Sequence, residues 1–264
     1  MIGSILKAID ILSLFDSYHP RMSLAEISER SGLPKSTAHS ILATLQARGL
    51  IEKVDSDSYA VGNQIIVLAQ SARVNIELRD RAARYLRLLA DACHESVYLT
   101  VREQDHVLYI YAVESPHRLL ARTAVGERVL MHCTANGKSI MASLPESEIE
   151  AYVKRVGLQK YTKNTIVTLD GLKKELEMTR QCGYAVDNEE HEPGIYCIGV
   201  PIYDGSSRVI GACSISGVDR EILGSRLQLL IPQILYTAQE ISRTMGFVPS
   251  MPSQIITSPK NEAN

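Results

Sequence analysis

One forty-residue block, residues 23 to 62, constrains this chain more than any other stretch, because it reads as two short helices, the turn between them and a pair of strands. Ser23-Leu24-Ala25-Glu26 opens it as a capping box: the serine oxygen accepts an orphan amide while the glutamate reaches back. Leu24 and Ile27 then share one face, and Ser31-Gly32 ends the helix, glycine supplying the left-handed conformation of a tight helix-to-helix turn. Pro34 stands where the next helix begins, a position that needs no amide proton, and Ala38, Ile41, Leu42 and Leu45 follow at helical spacing as a buried stripe. After Gly49, the runs 50–54 and 59–62 flank the polar Asp55-Ser56-Asp57-Ser58 and read as two short strands, a wing.

The second helix leaves Lys35, Ser36, Thr37, His39, Ser40 and Thr44 on its other side. These are short donors and acceptors plus a cation, a surface that can reach phosphates and base edges without a bulky group holding the backbone off. A winged helix-turn-helix that places its second helix in a DNA groove is the expectation. Charge supports it locally. Residues 1 to 62 carry six cations (Lys7, Arg21, Arg30, Lys35, Arg48, Lys53) against seven acids (Asp10, Asp16, Glu26, Glu29, Glu52, Asp55, Asp57), net −1. Between Glu29 and Glu52, however, there is no acid, and Arg30, Lys35 and Arg48 concentrate positive potential on the turn and second helix. The same packing could instead serve a protein partner; capping box, turn glycine, proline, polar face and wing in this order favour DNA.

Leu33-Pro34-Lys35-Ser36-Thr37-Ala38-His39 resembles the IclR family of bacterial transcription regulators at the start of their recognition helix. The resemblance continues through Leu45-Gln46-Ala47-Arg48-Gly49-Leu50-Ile51, Thr134-Ala135-Asn136-Gly137-Lys138, Gly183-Tyr184-Ala185-Val186-Asp187-Asn188-Glu189-Glu190 and Gly194-Ile195-Tyr196-Cys197-Ile198. It therefore spans residues 3 to 247, with separated motifs in the family's order. Many relatives have arginine right after the position of His39; here it is Ser40, so the resemblance points to Lys35, Thr37, His39 and Arg48, with Ser36 and Ser40 beside them, for DNA contact. It also implies a C-terminal domain like the GAF and PAS sensors, a small 2-oxo acid as effector, and dimers that pair into tetramers.

At 264 residues and 45% hydrophobic content the chain is long enough for two cores. No apolar stretch has the length of a bilayer span, and Met1-Ile2-Gly3-Ser4 leads straight into a helical pattern with no signal peptide, so a cytoplasmic location without membrane contact is expected. Five widely spaced cysteines, Cys93, Cys133, Cys182, Cys197 and Cys213, with no C-x-x-C pair, read as free buried thiols rather than disulfides or a zinc site. A net charge of −2 argues against indiscriminate adhesion to nucleic acid. The motifs call for no cofactor and no metal.

Around the DNA-binding block, Ile5, Ile9 and Leu12 suggest an opening amphipathic helix, and 63–73 a helical connector rich in Ile66, Leu68, Ala69 and Ala72 that can double as a dimer surface. A further helix carries Ala82, Leu86, Leu89, Ala90 and Cys93 on one side. Alternation at 97–101 and 107–111 marks a hairpin; helices are expected at 135–143, 146–156, 170–182 and 220–245, and strands at 184–187, 195–203 and 208–216. The class is α+β: a winged helix-turn-helix domain (1–62), a helical linker (63–78), an effector domain around an antiparallel sheet (79–248) and, from Pro249, a proline-bearing polar tail without fixed structure (249–264).

On the strand ending at Gly217, Ala212, Ser214 and Ser216 share a face. Two hydroxyls in a buried row need partners, at a cost of about 1 to 3 kcal/mol each if they lack them. Neighbouring backbone would suffice; a small polar ligand would also, helped by Asp187 and Cys197 and by the backbone amides of Ala135 and Asn136, where a helix starts and offers free N–H groups to a carboxylate. Positions matching these bind 2-oxo acids in the resembled family, where the position of Asn136 varies and would tune ligand choice; Val129 and Met131, just before the helix, would furnish an apolar wall, and as ordinary core residues they would look no different. Asp187, His191 and Cys197 would alternatively make a cysteine-based catalytic trio, and the acidic run 189–192 a metal site. Neither is the expectation: no nucleophile-elbow pattern surrounds Cys197, and acids before Pro193-Gly194 fit a solvated turn.

Overall fold

The computed structural model describes residues 1–16, 18–70, 73–115 and 125–248. The chain divides into two compact units, Met1–Ile76 and Glu77–Asn264. The tail expected from Pro249 lies outside the described residues.

In the first unit, helices α1 (Gly3–Leu12), α2 (Leu24–Ser31) and α3 (Lys35–Ala47) enclose a core of Ile11, Ile27, Ala38, Leu42, Leu45 and Ile51. The capping box forms as read: Ser23 Oγ accepts from Glu26 N, and Ser23 N donates to Glu26 Oε2 at 2.7 Å. Gly32 ends α2 at φ +67, where a β-carbon is unfavourable. The wing is a three-stranded antiparallel sheet rather than a hairpin, because β1 (Arg21–Ser23) pairs with β3 (Ser58–Val61) on the side opposite β2 (Ile51–Lys53). Three residues are too few to show alternation, which is why the sequence hid β1. A second correction concerns α1, where Ile11 is the buried residue while Ile5 and Ile9 are about half exposed, at 54% and 52%. These two line an open groove of about 660 Å³ between α1 and α3, together with Leu12, Thr37, Ser40 and Thr44. Helix α4 (Gln64–Gln70) follows the wing.

Helix α5 (Arg73–Cys93) is continuous across the position where a linker was expected to end. The second unit is built on a six-stranded antiparallel sheet in the order β6-β5-β4-β9-β8-β7, formed by β4 (Ser96–Glu103), β5 (His106–Val113), β6 (Arg128–Leu130), β7 (Ala185–Asn188), β8 (Tyr196–Tyr203) and β9 (Val209–Gly217). One face packs Val97, Leu99, Ile198, Val200, Cys213 and Ile215 against α5 and the last helix, α9 (Leu227–Thr244). Alternation sends Tyr98, Tyr109 and Ala212 to the other face, onto α6 (Ala135–Met141), α7 (Glu146–Val156) and α8 (Leu169–Cys182). The expected helix from 220 to 245 is shorter: a 3-10 turn, Arg220–Ile222, precedes it, and Arg226 is held by Glu95 at 2.5 Å and Asp219 at 3.0 Å just before α9 starts. Strand β6 also escaped the sequence reading, again for its shortness. Of the five free thiols, Cys182 is exposed rather than buried.

Candidate functional site

Two places concentrate functional side chains, one in each unit. The first is the outer face of α3. Lys35, Ser36, His39, Ser40, Ala43, Thr44, Gln46 and Ala47 are exposed and Thr37 is half-buried. At about 100° per residue, Ser36, Ser40, Ala43 and Ala47 form the outward centre, Lys35, His39 and Gln46 one flank, and Thr37 and Thr44 the flank facing α1. Ser40 Oγ donates to Ser36 O at 2.9 Å and Thr44 Oγ1 to Ser40 O at 2.9 Å, so outward they offer acceptor lone pairs. No side chain caps the first turn of α3, whose leading amides are therefore open to an external anion. Arg48 is not with this group. It follows the last turn, about 20 Å along the helix from Lys35. The wing tip is acidic: Asp55 accepts from Ser58 Oγ at 2.5 Å and from Asp57 N and Ser58 N at 3.0 and 2.9 Å, and those bonds, the hydroxyl's first, hold its carboxyl below the ordinary range.

The second place lies between the sheet and α6. Strand register sets Asp187, Cys197 and Ser216 side by side across β7, β8 and β9, and Ser214 opposite Tyr98 on β4. These five line a narrow cavity of about 30 Å³, completed by Tyr109, Thr134 and the loop residues His191, Glu192 and Ile195. That volume suits about two waters. Close approach of α6 makes the cavity small: Gly199 has no β-carbon because one would stand 2.5 Å from Ala135 C, and a β-carbon on Gly137 would stand 2.2 Å from Met131 O.

Not every expected ligand residue is on the cavity wall. Asn136 stands behind it, donating Nδ2 to Ser214 Oγ at 3.0 Å, with its own Oδ1 buried and without a hydrogen-bond partner among the described residues. Ala135 is also off the wall, and α6 begins with Thr134 Oγ1 accepting from Gly137 N at 3.1 Å. Val129 and Met131 point into the second core beside Ile140 and Tyr152, so they are packing residues in this conformation rather than a cavity wall. Asp187, His191 and Cys197 do share the cavity, but Cys197 Sγ donates to Ser216 Oγ at 3.1 Å and Asp187 Oδ1 accepts from Glu190 N at 2.7 Å, an arrangement of hydrogen-bonded wall groups. No cluster of metal ligands occurs among the described residues.

The sequence reading missed what holds the cavity loop. Lys138, fully buried on α6, bridges Glu190 of the loop and Glu175 of α8, the latter at 3.1 Å. Above it, Thr162 and Thr165 donate to the carbonyls of Glu189 and Glu190 at 2.6 Å, and Asn164 to that of Asn188 at 2.9 Å. Tyr161 lies against the His191 ring, centroids 5.0 Å apart. Burial depresses the His191 imidazole, keeping it neutral, and burial together with the Glu190 charge pushes the Asp187 carboxyl up to about 7. The signal lies in Thr134-Ala135-Asn136-Gly137-Lys138, whose lysine has no acid on its own helix.

A helix-turn-helix with an open polar second helix, on one chain with a sheet domain that encloses a polar cavity, defines a DNA-binding regulator with a sensing domain. Two family models match it, the IclR helix-turn-helix domain over residues 4–55 and the bacterial transcriptional regulator IclR C-terminal domain over residues 70–243. The chain belongs to the IclR family of transcriptional regulators. It is 30% identical to the HTH-type transcriptional regulator XynR of Escherichia coli, over 94% of this chain and 98% of that protein. The crystal structure of the Thermotoga maritima IclR has a TM-score of 0.79 at 33% identity, covering 94% of this chain and all (100%) of that one. An IclR homologue of Microbacterium hydrocarbonoxydans, complexed with 4-hydroxybenzoate, shares the fold at a TM-score of 0.82 with 19% identity, covering 92% and 98%. No helix among the described residues is long and apolar enough to cross a membrane.

Proposed function

We propose that this regulator binds a small carboxylate of the 2-oxo acid type in the cavity of its second unit and that this binding controls its affinity for an operator. The observation that carries the reading is the row of buried Asp187, half-buried Cys197 and buried Ser216 with Ser214 beside it, polar groups gathered on one sheet face that is otherwise core. The 4-hydroxybenzoate held by the Microbacterium relative is itself a carboxylate. The cavity of about 30 Å³ is smaller than any such acid, so admission requires the loop carrying His191 and Glu192 to move away from β8 and β9. Ala135 and Asn136 contribute backbone amides once α6 is approached, while Val129 and Met131 set the packing behind it.

On the DNA side, Lys35, Ser36, Thr37, His39 and Ser40 meet one half-site and Arg48 an outer phosphate. Two chains paired through their N-terminal regions, as homodimer or homotetramer, set half-sites about 34 to 36 Å or a multiple apart. The effector shifts operator affinity by as much as it distinguishes two placements of those helices. The test is operator selection from a random duplex library with the full chain, followed by competition with small carboxylates. Release of selected duplex by a 2-oxo acid, abolished by Ser214→Ala with DNA affinity unchanged, is expected; duplex selection without response to any carboxylate would remove the effector assignment.

A further inference from the structure

The charges around the effector cavity do not balance. Lys138 is the buried cation, and it faces three carboxylates, Glu190, Glu175 and Asp187, of which Asp187 and Glu190 are 3% and 6% exposed. Glu190 and the partly exposed Glu175 contact the ammonium, which leaves Asp187 a buried carboxylate with no contacting cation among the described residues, in a medium that penalises one uncompensated charge. Asp187 instead accepts from neutral donors, the backbone amides of Glu190, at 2.7 Å, and of His191. Lys138 and Glu190 thus form an ion pair, while Asp187 looks across the cavity at Cys197 and, from β4 and β5, at the phenols of Tyr98 and Tyr109. Cys133, behind α6, and the loop residues His191 and Glu192 complete the titratable surroundings among the described residues, and of those the cavity wall holds neither lysine nor arginine.

We infer that Asp187 carries a proton at neutral pH and meets the effector as a hydroxyl donor, so that an anionic effector binds together with that proton. The inference deepens the effector reading above and rests on it for the ligand, though not for the protonation. A carboxylate entering beside an ionised Asp187 would add like charge to a wall that carries no cation among the described residues; beside a protonated Asp187 it finds a hydroxyl donor there and the Ser214 hydroxyl next to it. Burial and the Glu190 charge both push the Asp187 carboxyl upward, to about 7, in agreement with the charge count. Burial raises Glu190 too, but the ammonium in contact with it opposes the shift, so the proton is assigned to Asp187.

Infrared spectroscopy of the full chain with isotope-labelled aspartate tests the protonation without any ligand. A protonated-carboxyl band at neutral pH that carries the aspartate isotope shift, disappears in Asp187→Asn and persists in Ser214→Ala is expected. Its absence from the wild-type protein overturns the inference. The coupling is read with pyruvate as probe, by the ligand-induced thermal shift at a series of pH values. Pyruvate affinity in the wild type should fall about tenfold per pH unit on the alkaline side of the Asp187 transition and be nearly independent of pH in Asp187→Asn, whose amide still donates. A wild-type pyruvate shift that is equal at all pH values overturns the coupling. No pyruvate shift at any pH, with the band present, rejects the 2-oxo acid reading while upholding the protonated Asp187.

Discussion

Helices α3 and α6 both carry a Lys-Ser pair among small polar residues and put it to opposite use. The first opens Lys35-Ser36-Thr37, the second Ala135-Asn136-Gly137-Lys138-Ser139, yet Lys35 is exposed and Lys138 is 0% exposed, as every residue of α6 is buried. The difference comes from partners supplied far along the chain. Glu175 and Glu190 reach Lys138, Ser214 reaches Asn136, and the carbonyl of Asn136 accepts from Ser139 Oγ at 2.9 Å. Around α3 the hydroxyls bond only within the helix, and its first turn lacks a cap. Polar residues left without internal partners are available to something outside; polar residues that find them become scaffold.

Replacing the two lysines should break this symmetry most visibly. Lys138→Met leaves Glu190 buried without its cation and is expected to cost about 3 to 5 kcal/mol in denaturant unfolding of the full chain, whereas adding Glu190→Gln should recover much of the loss. Lys35→Ala should leave the unfolding midpoint where it was. If Lys138→Met unfolds like wild type, the buried bridge is not what fixes the cavity loop. Next in size is Gly199→Ala, which forces a methyl to within 2.5 Å of the Ala135 carbonyl carbon and should cost about 1 to 3 kcal/mol through displacement of α6. The exposed side of α3 offers a control at Ala43→Ser, expected to change nothing in stability.

Much of this contrast was legible beforehand. Capping box, turn glycine and proline are local signals, and they fixed α2, the turn and α3 because each is decided within a few residues. Alternation likewise put Ser214 and Ser216 on one face of β9, and both stand on the cavity wall. What failed is what depends on remote segments. Ile5 and Ile9 have helical periodicity, but Ile11 is the one that meets the core. Val129 and Met131 are apolar beside the site, and nothing in their own neighbourhood tells a core residue from a cavity wall. Lys138 has no local sign of its burial, because its glutamates lie 37 and 52 residues away. The acids at 189–192 read as a solvated turn, and one of them, Glu190, proved to be the buried partner.

The open face of α3 predicts a smaller, purely external effect. Lys35→Ala should weaken binding to library-selected duplex by about tenfold at moderate salt and lower the slope of log affinity against log salt by about 1, the signature of one lost phosphate contact. Binding of pyruvate, if the effector reading holds, should be untouched. An unchanged slope would mean that Lys35 faces solvent in the complex and that the α3 face has been assigned with the wrong rotation.

The smallest effect belongs to the entrance of α2, where the two kinds of helix meet in miniature: an exposed polar cluster that does satisfy itself. Ser23 Oγ caps Glu26 N, and Glu26 Oε2 accepts from both Ser23 N and Ser23 Oγ, at 2.7 and 2.8 Å. Ser23→Ala removes both bonds made by Oγ and leaves the one from Ser23 N; it should cost about 1 kcal/mol of unfolding free energy, without altering affinity for duplex beyond that loss. Those bonds hold the Glu26 carboxyl below its ordinary value of 4.5. For an acid depressed in the folded state, the contribution is present above the unfolded value and fades as pH falls through the folded one. The gap between wild type and Glu26→Gln should therefore be widest at neutral pH and close in acid, and a gap that widened in acid would show that the glutamate is not acting through its ionised cap.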